Sequence, residues 1–130
     1  MLLTTALEPL LARPGGRVVL VGSRVAVTGA ATPAYVAAKS ALNGWVLSLA
    51  GRLGPDGITA NVVAPGYTWT DLVAGRITPE RHAALLTEIA AGRPAQPEEI
   101  AAVVRFLAGP AASYVNGQVL GVDGGPRPPT

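Results

Sequence analysis

The chain has 130 residues, of which 49% are hydrophobic and only 14% charged, with a net charge of +2, a pI of 9.5 and a mean hydropathy of +0.38. That balance excludes a disordered or solvating segment, and basic residues scattered singly give no run that would track a nucleic acid. The absence of cysteine excludes disulfides and thiolate metal sites.

Residues 1 to about 12 read as a helix, with Leu3, Ala6, Leu7, Leu10 and Leu11 at helical spacing and Pro14-Gly15-Gly16 ending it. Arg17 to Val21 is a continuous β-branched run, the pattern of a strand buried on both faces, closed by Gly22 and Ser23. Residues 24 to 33 read two ways: Val25-Ala26-Val27 extends the strand, or Thr28-Gly29 and Thr32-Pro33 make the stretch a loop. Ala34 to Arg52 is helical and rich in small residues, and Gly54-Pro55-Asp56-Gly57 breaks it.

Ile58 to Val63 is a second buried strand, turned out by Pro65-Gly66. Residues 67 to 78 show no clean period. Thr78 as N-cap and Pro79 at the first helical position start a helix running to about Ala91. Pro97-Glu98-Glu99 opens another to Leu107, with both glutamates in the first turn where the macrodipole favours them. Gln118 to Val122 is a third strand, and residues 126–130 form an extended, mobile tail.

The longest uncharged stretch, Phe106 to Val122, is interrupted by Gly, Pro, Asn and Gln, so no segment is expected to span a membrane. The N-terminus lacks a basic region ahead of its apolar residues, and a cytoplasmic location is the expectation. The single histidine, His82, has no neighbouring ligand cluster and reads as a surface helix residue, so no metal site is expected.

Helix, strand, helix, strand, helices, strand is the order of an α/β fold with a parallel sheet and right-handed crossovers. In such sheets ligands sit at the carboxyl ends of the strands, where Ser23 and Pro65 fall. The chemistry is concentrated in Tyr35-Val36-Ala37-Ala38-Lys39, which puts a phenol and an ammonium on one helical face. An ammonium beside a phenol favours the phenolate and suits that hydroxyl to acid–base work near neutral pH. Lys39 is the only lysine among the 10 basic residues, a compact point charge where the rest of the chain uses arginine.

Five blocks in order give the chain a wider resemblance: Gly16-Arg-Val-Val-Leu-Val-Gly-Ser23, Tyr35-Val-Ala-Ala-Lys39-Ser-Ala-Leu, Gly57-Ile-Thr-Ala-Asn-Val-Val-Ala-Pro65-Gly66, Arg93-Pro-Ala-Gln-Pro-Glu-Glu-Ile-Ala and Gly117-Gln-Val-Leu-Gly-Val-Asp-Gly124-Gly125. From residue 1 to Gly125 it resembles the C-terminal half of a short-chain dehydrogenase/reductase. The resemblance implies residues 1–125 to be the last three strands, with their helices, of a Rossmann-like doubly wound parallel sheet whose N-terminal half is absent. It implies an oxidoreductase moving a hydride between NAD or NADP and a small carbonyl or alcohol substrate, with a general likeness to reductases of 3-oxoacyl carrier-protein thioesters.

By the same resemblance Tyr35 is the general acid–base, Lys39 eases its proton transfer and holds the nicotinamide ribose, and Ser23 orients the substrate carbonyl. Pro65, Gly66, Thr68 and Thr70 match the loop at the nicotinamide end of the cofactor, and residues 67–92 fall where the family keeps its substrate lid.

The departures also carry weight. The spacing from Ser23 to Tyr35 is one residue shorter than in the family. Roughly a hundred residues that would hold the Gly-rich phosphate turn precede this region in a family member, as does the family's catalytic asparagine. A second possibility is therefore a non-catalytic half-domain serving assembly. The resemblance also implies a homo-oligomer, formed through the helix Ala34 to Arg52 and the N-terminal helix.

Overall fold

The computed structural model describes residues 2–127. Its three strands, β1 (Arg17–Val21), β2 (Thr59–Pro65) and β3 (Val119–Val122), form one parallel sheet in the order β1-β2-β3. β1 pairs with β2 from Arg17 opposite Thr59 to Val21 opposite Val63, and β2 with β3 from Val62 opposite Val119 to Pro65 opposite Val122. β2 is the central strand, and its run Thr-Ala-Asn-Val-Val-Ala is buried throughout. Such a strand needs residues that tolerate cover on both faces, which its β-branched and small side chains do.

The helices are α1 (Leu2–Leu7), α2 (Val25–Thr28), α3 (Pro33–Leu53), α4 (Asp71–Ala74), α5 (Pro79–Glu88) and α6 (Pro97–Ala108). Side chains alternate across the strands, so Val18, Ala60 and Val62 meet Val46, Leu49 and Leu53 of α3, with Ile58 beside them. On the other face Val63 packs with Leu107 of α6 and with Ala112, joined by half-buried Val19, Leu120 and Val122. α6 opens on a capping box: Gln96 caps its first turn while the Glu99 carboxylate accepts the Gln96 N–H at 2.8 Å.

Asparagines lace the sheet where apolar residues cannot. Buried Asn61 donates through Nδ2 to the Val115 carbonyl at 2.8 Å and accepts the Gln118 N–H at 3.0 Å. Asn116 accepts the Ala60 N–H at 2.8 Å and donates to the Ala50 carbonyl at 3.2 Å, tying β2 to α3. The bonds from the Ala60 and Gln118 N–H groups satisfy donors at the strand entrances that strand pairing leaves open.

The structure departs from the sequence reading in several places. The N-terminal helix stops at Leu7 and continues as a 3₁₀ turn over Glu8–Leu10, because Pro9 disfavours the α conformation of Glu8 and has no N–H. Residues 25–28 are neither strand nor loop but one helical turn, closed by Gly29 at φ 70°. β2 runs on to Pro65, and residues 67–78 contain α4, capped by the Thr70 hydroxyl.

α5 ends at Glu88, three residues early. Ile89 turns extended and bridges Pro126, while Ala90 and Ala91 donate to the Gly125 and Gly124 carbonyls at 2.9 and 3.0 Å. Pro126 and Arg127, assigned by the sequence to a free tail, are thus held against α5, with the Arg127 N–H on the Glu88 carbonyl at 3.0 Å. The rest of that tail, 128–130, lies outside the described residues. Among the described residues no helix is long and apolar enough to cross a membrane.

Candidate functional site

α3 begins cleanly because Thr32 is extended at its N-cap and Pro33 supplies a preset φ in the first turn. Tyr35, on that turn, keeps 46% of its surface exposed. Lys39, one turn on, reaches across to the end of β1, where Nζ donates to the Val21 carbonyl at 2.9 Å and lies 5.8 Å from the centre of the Tyr35 ring. An ammonium has three donors, and this bond uses one. Ser23 follows Val21 by two residues; its Oγ accepts the Val25 N–H at 3.4 Å, leaving the hydroxyl proton to donate elsewhere.

The turn carrying Ser23 is stitched to its neighbours. Gly22 donates to the Val63 carbonyl at 2.7 Å, Arg24 to the Pro65 carbonyl at 2.9 Å, and Gly66 to the Val122 carbonyl at 3.0 Å, so each strand's exit is bonded to the next. The Arg24 guanidinium forms an ion pair with Asp123, whose other oxygen accepts the Gly125 N–H at 3.1 Å. Gly66 is required by this closeness, since a Cβ there would stand 2.6 Å from Asp123 Cβ and 2.7 Å from its Cα. On the other side, the Ser40 hydroxyl donates to the Ala26 carbonyl at 3.0 Å and holds α2 to α3.

Three of the residues expected at the cofactor line two separate hollows. Pro65 and Thr68 line an apolar groove of about 520 Å³ with Pro97, Ile100, Ala101 and Val104 of the α6 segment. The Thr68 hydroxyl donates to the Gly66 carbonyl at 3.2 Å. Gly66 instead borders a cavity of about 240 Å³ with Arg24, Thr28, Tyr67, Glu88 and Asp123. Thr70 is engaged in capping α4, its Oγ accepting the Val73 N–H at 3.3 Å. Tyr35, Lys39 and the Ser23 turn therefore gather at the end of β1, while Pro65 to Thr70 belong to the exit of β2.

His82 corrects the sequence reading. It is half-buried, with Nδ1 2.7 Å from the Tyr67 hydroxyl and its ring edge-on to Tyr67 and Trp69, at centroid distances of 5.8 and 5.0 Å. α5 folds back over the loop after β2, which turns an apparent surface position inward. Loss of water around Tyr67 pushes its hydroxyl pKa above the usual phenol value. Tyr67 and Leu85 also border a third hollow of about 480 Å³, with Leu72, Val73, Ile77, Arg76 and Arg81. The residues that sequence reasoning missed are Arg24, Asp123 and the Tyr67–His82 pair. The only local signal was Asp123 in front of two glycines.

A family model described as Enoyl-(Acyl carrier protein) reductase matches residues 1–126. The 3-oxoacyl-(acyl-carrier-protein) reductase of Vibrio cholerae is 40% identical over 120 residues, covering 92% of this chain and 49% of the relative. The crystal structure of the reductase of that name from Brucella melitensis superposes with a TM-score of 0.90 at 36% identity, over 95% of this chain and 47% of the other. A candidate NAD(P)-dependent gluconate 5-dehydrogenase from Beutenbergia cavernae, with bound NADP at low occupancy, gives 0.87 at 40% identity over 95% and 51%. The chain thus spans about half the length of the relatives it matches. With the parallel sheet, the Tyr35/Lys39 helix against the end of β1 and a match over nearly every residue, the chain belongs to the short-chain dehydrogenase/reductase family.

Proposed function

We propose that this chain carries the catalytic, nicotinamide-side half of an NAD(P)-dependent oxidoreductase acting on a small carbonyl or alcohol. The observation that carries the reading is the bond from Lys39 Nζ to the Val21 carbonyl, which draws the ammonium, the exposed Tyr35 hydroxyl and the Ser23 turn to one strand end. The residues fit a nicotinamide coenzyme: Lys39 has donors to spare for a ribose, and Pro65 and Thr68 border an open groove at the exit of β2. Such a coenzyme, when bound, supplies or takes the hydride.

The chain's own residues handle the oxygen. Ser23 donates to the substrate oxygen and fixes its direction. Tyr35 gives its proton to that oxygen during reduction and takes it back during oxidation, and the Lys39 charge stabilises the phenolate left behind. Gly66, Thr68 and Thr70 offer backbone and hydroxyl groups to the carboxamide end. The likeness to 3-oxoacyl-(acyl-carrier-protein) reductases and to a candidate gluconate dehydrogenase supports two substrate classes, acyl thioesters and sugar acids.

The test is carbonyl reduction by residues 1–130 joined behind the dinucleotide-binding half of the Vibrio cholerae reductase. Tyr35→Phe removes one hydroxyl and is expected to cut turnover by about a hundredfold or more while the melting temperature holds. Full turnover in that variant would refute the assignment.

A second reading, a non-catalytic assembly module, is favoured by one feature: Leu2, Leu3, Leu7 and Leu10 at the N-terminus and Leu47 on α3 are exposed. On either reading we propose that the chain self-associates through α3 and the N-terminal helix. Sedimentation at micromolar concentration is expected to give a dimer or larger species, and a single species at 13.1 kDa would contradict it.

A further inference from the structure

α2 is a single turn with no fully buried residue, its Val25 and Ala26 being only half-covered, so polar bonds carry much of the hold on the turn that presents Ser23. Several of them run through Arg24. This one residue links the exits of all three strands: it lies three residues beyond the end of β1, its N–H bonds the Pro65 carbonyl at the end of β2, and its guanidinium pairs with Asp123 just beyond β3. The pair is sheltered, with side-chain exposures of 32% and 19%, unlike the solvated ion pairs that contribute little. Asp123 is itself fixed by the Gly125 N–H and by close packing on Gly66.

We propose that Arg24 is the positioning residue of the Ser23 hydroxyl, holding the turn after β1 in register with the Pro65–Gly66 loop. The proposal rests on the reading of Ser23 as the group that orients the substrate oxygen. Two anchors define the turn's place, Arg24 toward the sheet and Ser40 on the Ala26 carbonyl toward α3. Removing the guanidinium leaves the sheet side of the turn to the Gly22 and Arg24 backbone bonds alone. A displacement of about an ångström in a reacting group costs up to about a hundredfold in rate.

The first experiment needs no activity. Amide hydrogen exchange is followed in the 130-residue chain and in Arg24→Met, Asp123→Asn and Arg24→Lys. Both uncoupling variants are expected to speed exchange at Val27 and Thr28, which donate to the Arg24 carbonyl, by about tenfold, with Ala60 to Val63 unchanged and Arg24→Lys near the parent. Equal acceleration across β2, or none at the turn, overturns the proposal.

The second measures steady-state kinetics in the joined enzyme. Arg24→Met is expected to lower kcat by about tenfold or more with the cofactor KM unchanged, and Arg24→Lys to restore most of it. Asp123→Asn added to Arg24→Met should cost nothing further, since the two act as one unit. Ser23→Ala separates the two readings. If it retains full turnover, the role of Ser23 itself fails; if it is inactive while Arg24→Met keeps full kcat, only the positioning role of Arg24 fails.

Discussion

The face of the sheet beneath α3 and the face beneath α6 are built from the same three strands, yet they are closed to different degrees. Under α3, three large side chains, Val46, Leu49 and Leu53, are buried against Val18, Ile58, Ala60 and Val62. Under α6 the buried apolar cluster is the smaller set Val63, Leu107 and Ala112, and an apolar groove stays open beside Ile100 and Val104. The helix that carries Tyr35 and Lys39 is the one anchored on the closed face. Acid–base groups need fixed geometry, and the closed face supplies it; a groove that admits a ligand needs the opposite.

Four substitutions break or sharpen this contrast. Leu49→Ala removes the middle of the closed face and is expected to cost about 2–5 kcal/mol of unfolding free energy, read from urea denaturation. Asn61→Ala, on the same face of β2 as Val63, strands the Val115 carbonyl and the Gln118 N–H, at about 1–3 kcal/mol for each group left unpaired. Val104→Ala, half-buried at the open groove, is expected to cost about 1 kcal/mol or less. If it costs as much as Leu49→Ala, the two faces are equally closed and the contrast fails.

The smallest effect is electrostatic. The bonds from Arg93 and then from the Gln96 N–H lower the Glu99 carboxyl pKa from 4.5 to about 2. A carboxylate depressed in the folded state adds stability that is present above its unfolded value and is lost as pH falls through the folded one. Glu99→Gln is therefore expected to make stability less dependent on pH between about 4.5 and about 2, with little change at still lower pH. Acid titration followed by circular dichroism measures this.

The strands were legible because a β-branched run such as Val18 to Val21 has few alternatives, and α3 and α6 because Pro33 and Pro97 mark their starts. Tyr35, Lys39 and Ser23 were legible as residue types in an ordered set of blocks. What escaped was long-range. Val25 to Thr28 reads locally as strand or loop, and the bonds onto the Ser23 and Arg24 carbonyls make it a helical turn instead. α5 loses its last turn to Gly124, Gly125 and Pro126, which no local pattern near Ile89 announces. Arg24 and Asp123 meet because the chain runs on past β1 to the level of Pro65, which pairs with Val122. His82 turns inward because α5 folds onto Tyr67 and Trp69.

The bridge from Pro126 to Ile89 has a practical side. Pro126, Ile89 and Glu88 all border the cavity that Arg24 and Gly66 share, and the Arg127 N–H is bonded to the Glu88 carbonyl. Anything fused after Thr130 is therefore leashed within four residues of Pro126 on the cavity rim. A purification handle placed there would crowd small ligands and pull on the end of α5, whereas one at the amino terminus would not touch that rim. Binding assays with and without a cleavable C-terminal handle would then disagree for reasons unrelated to the ligand.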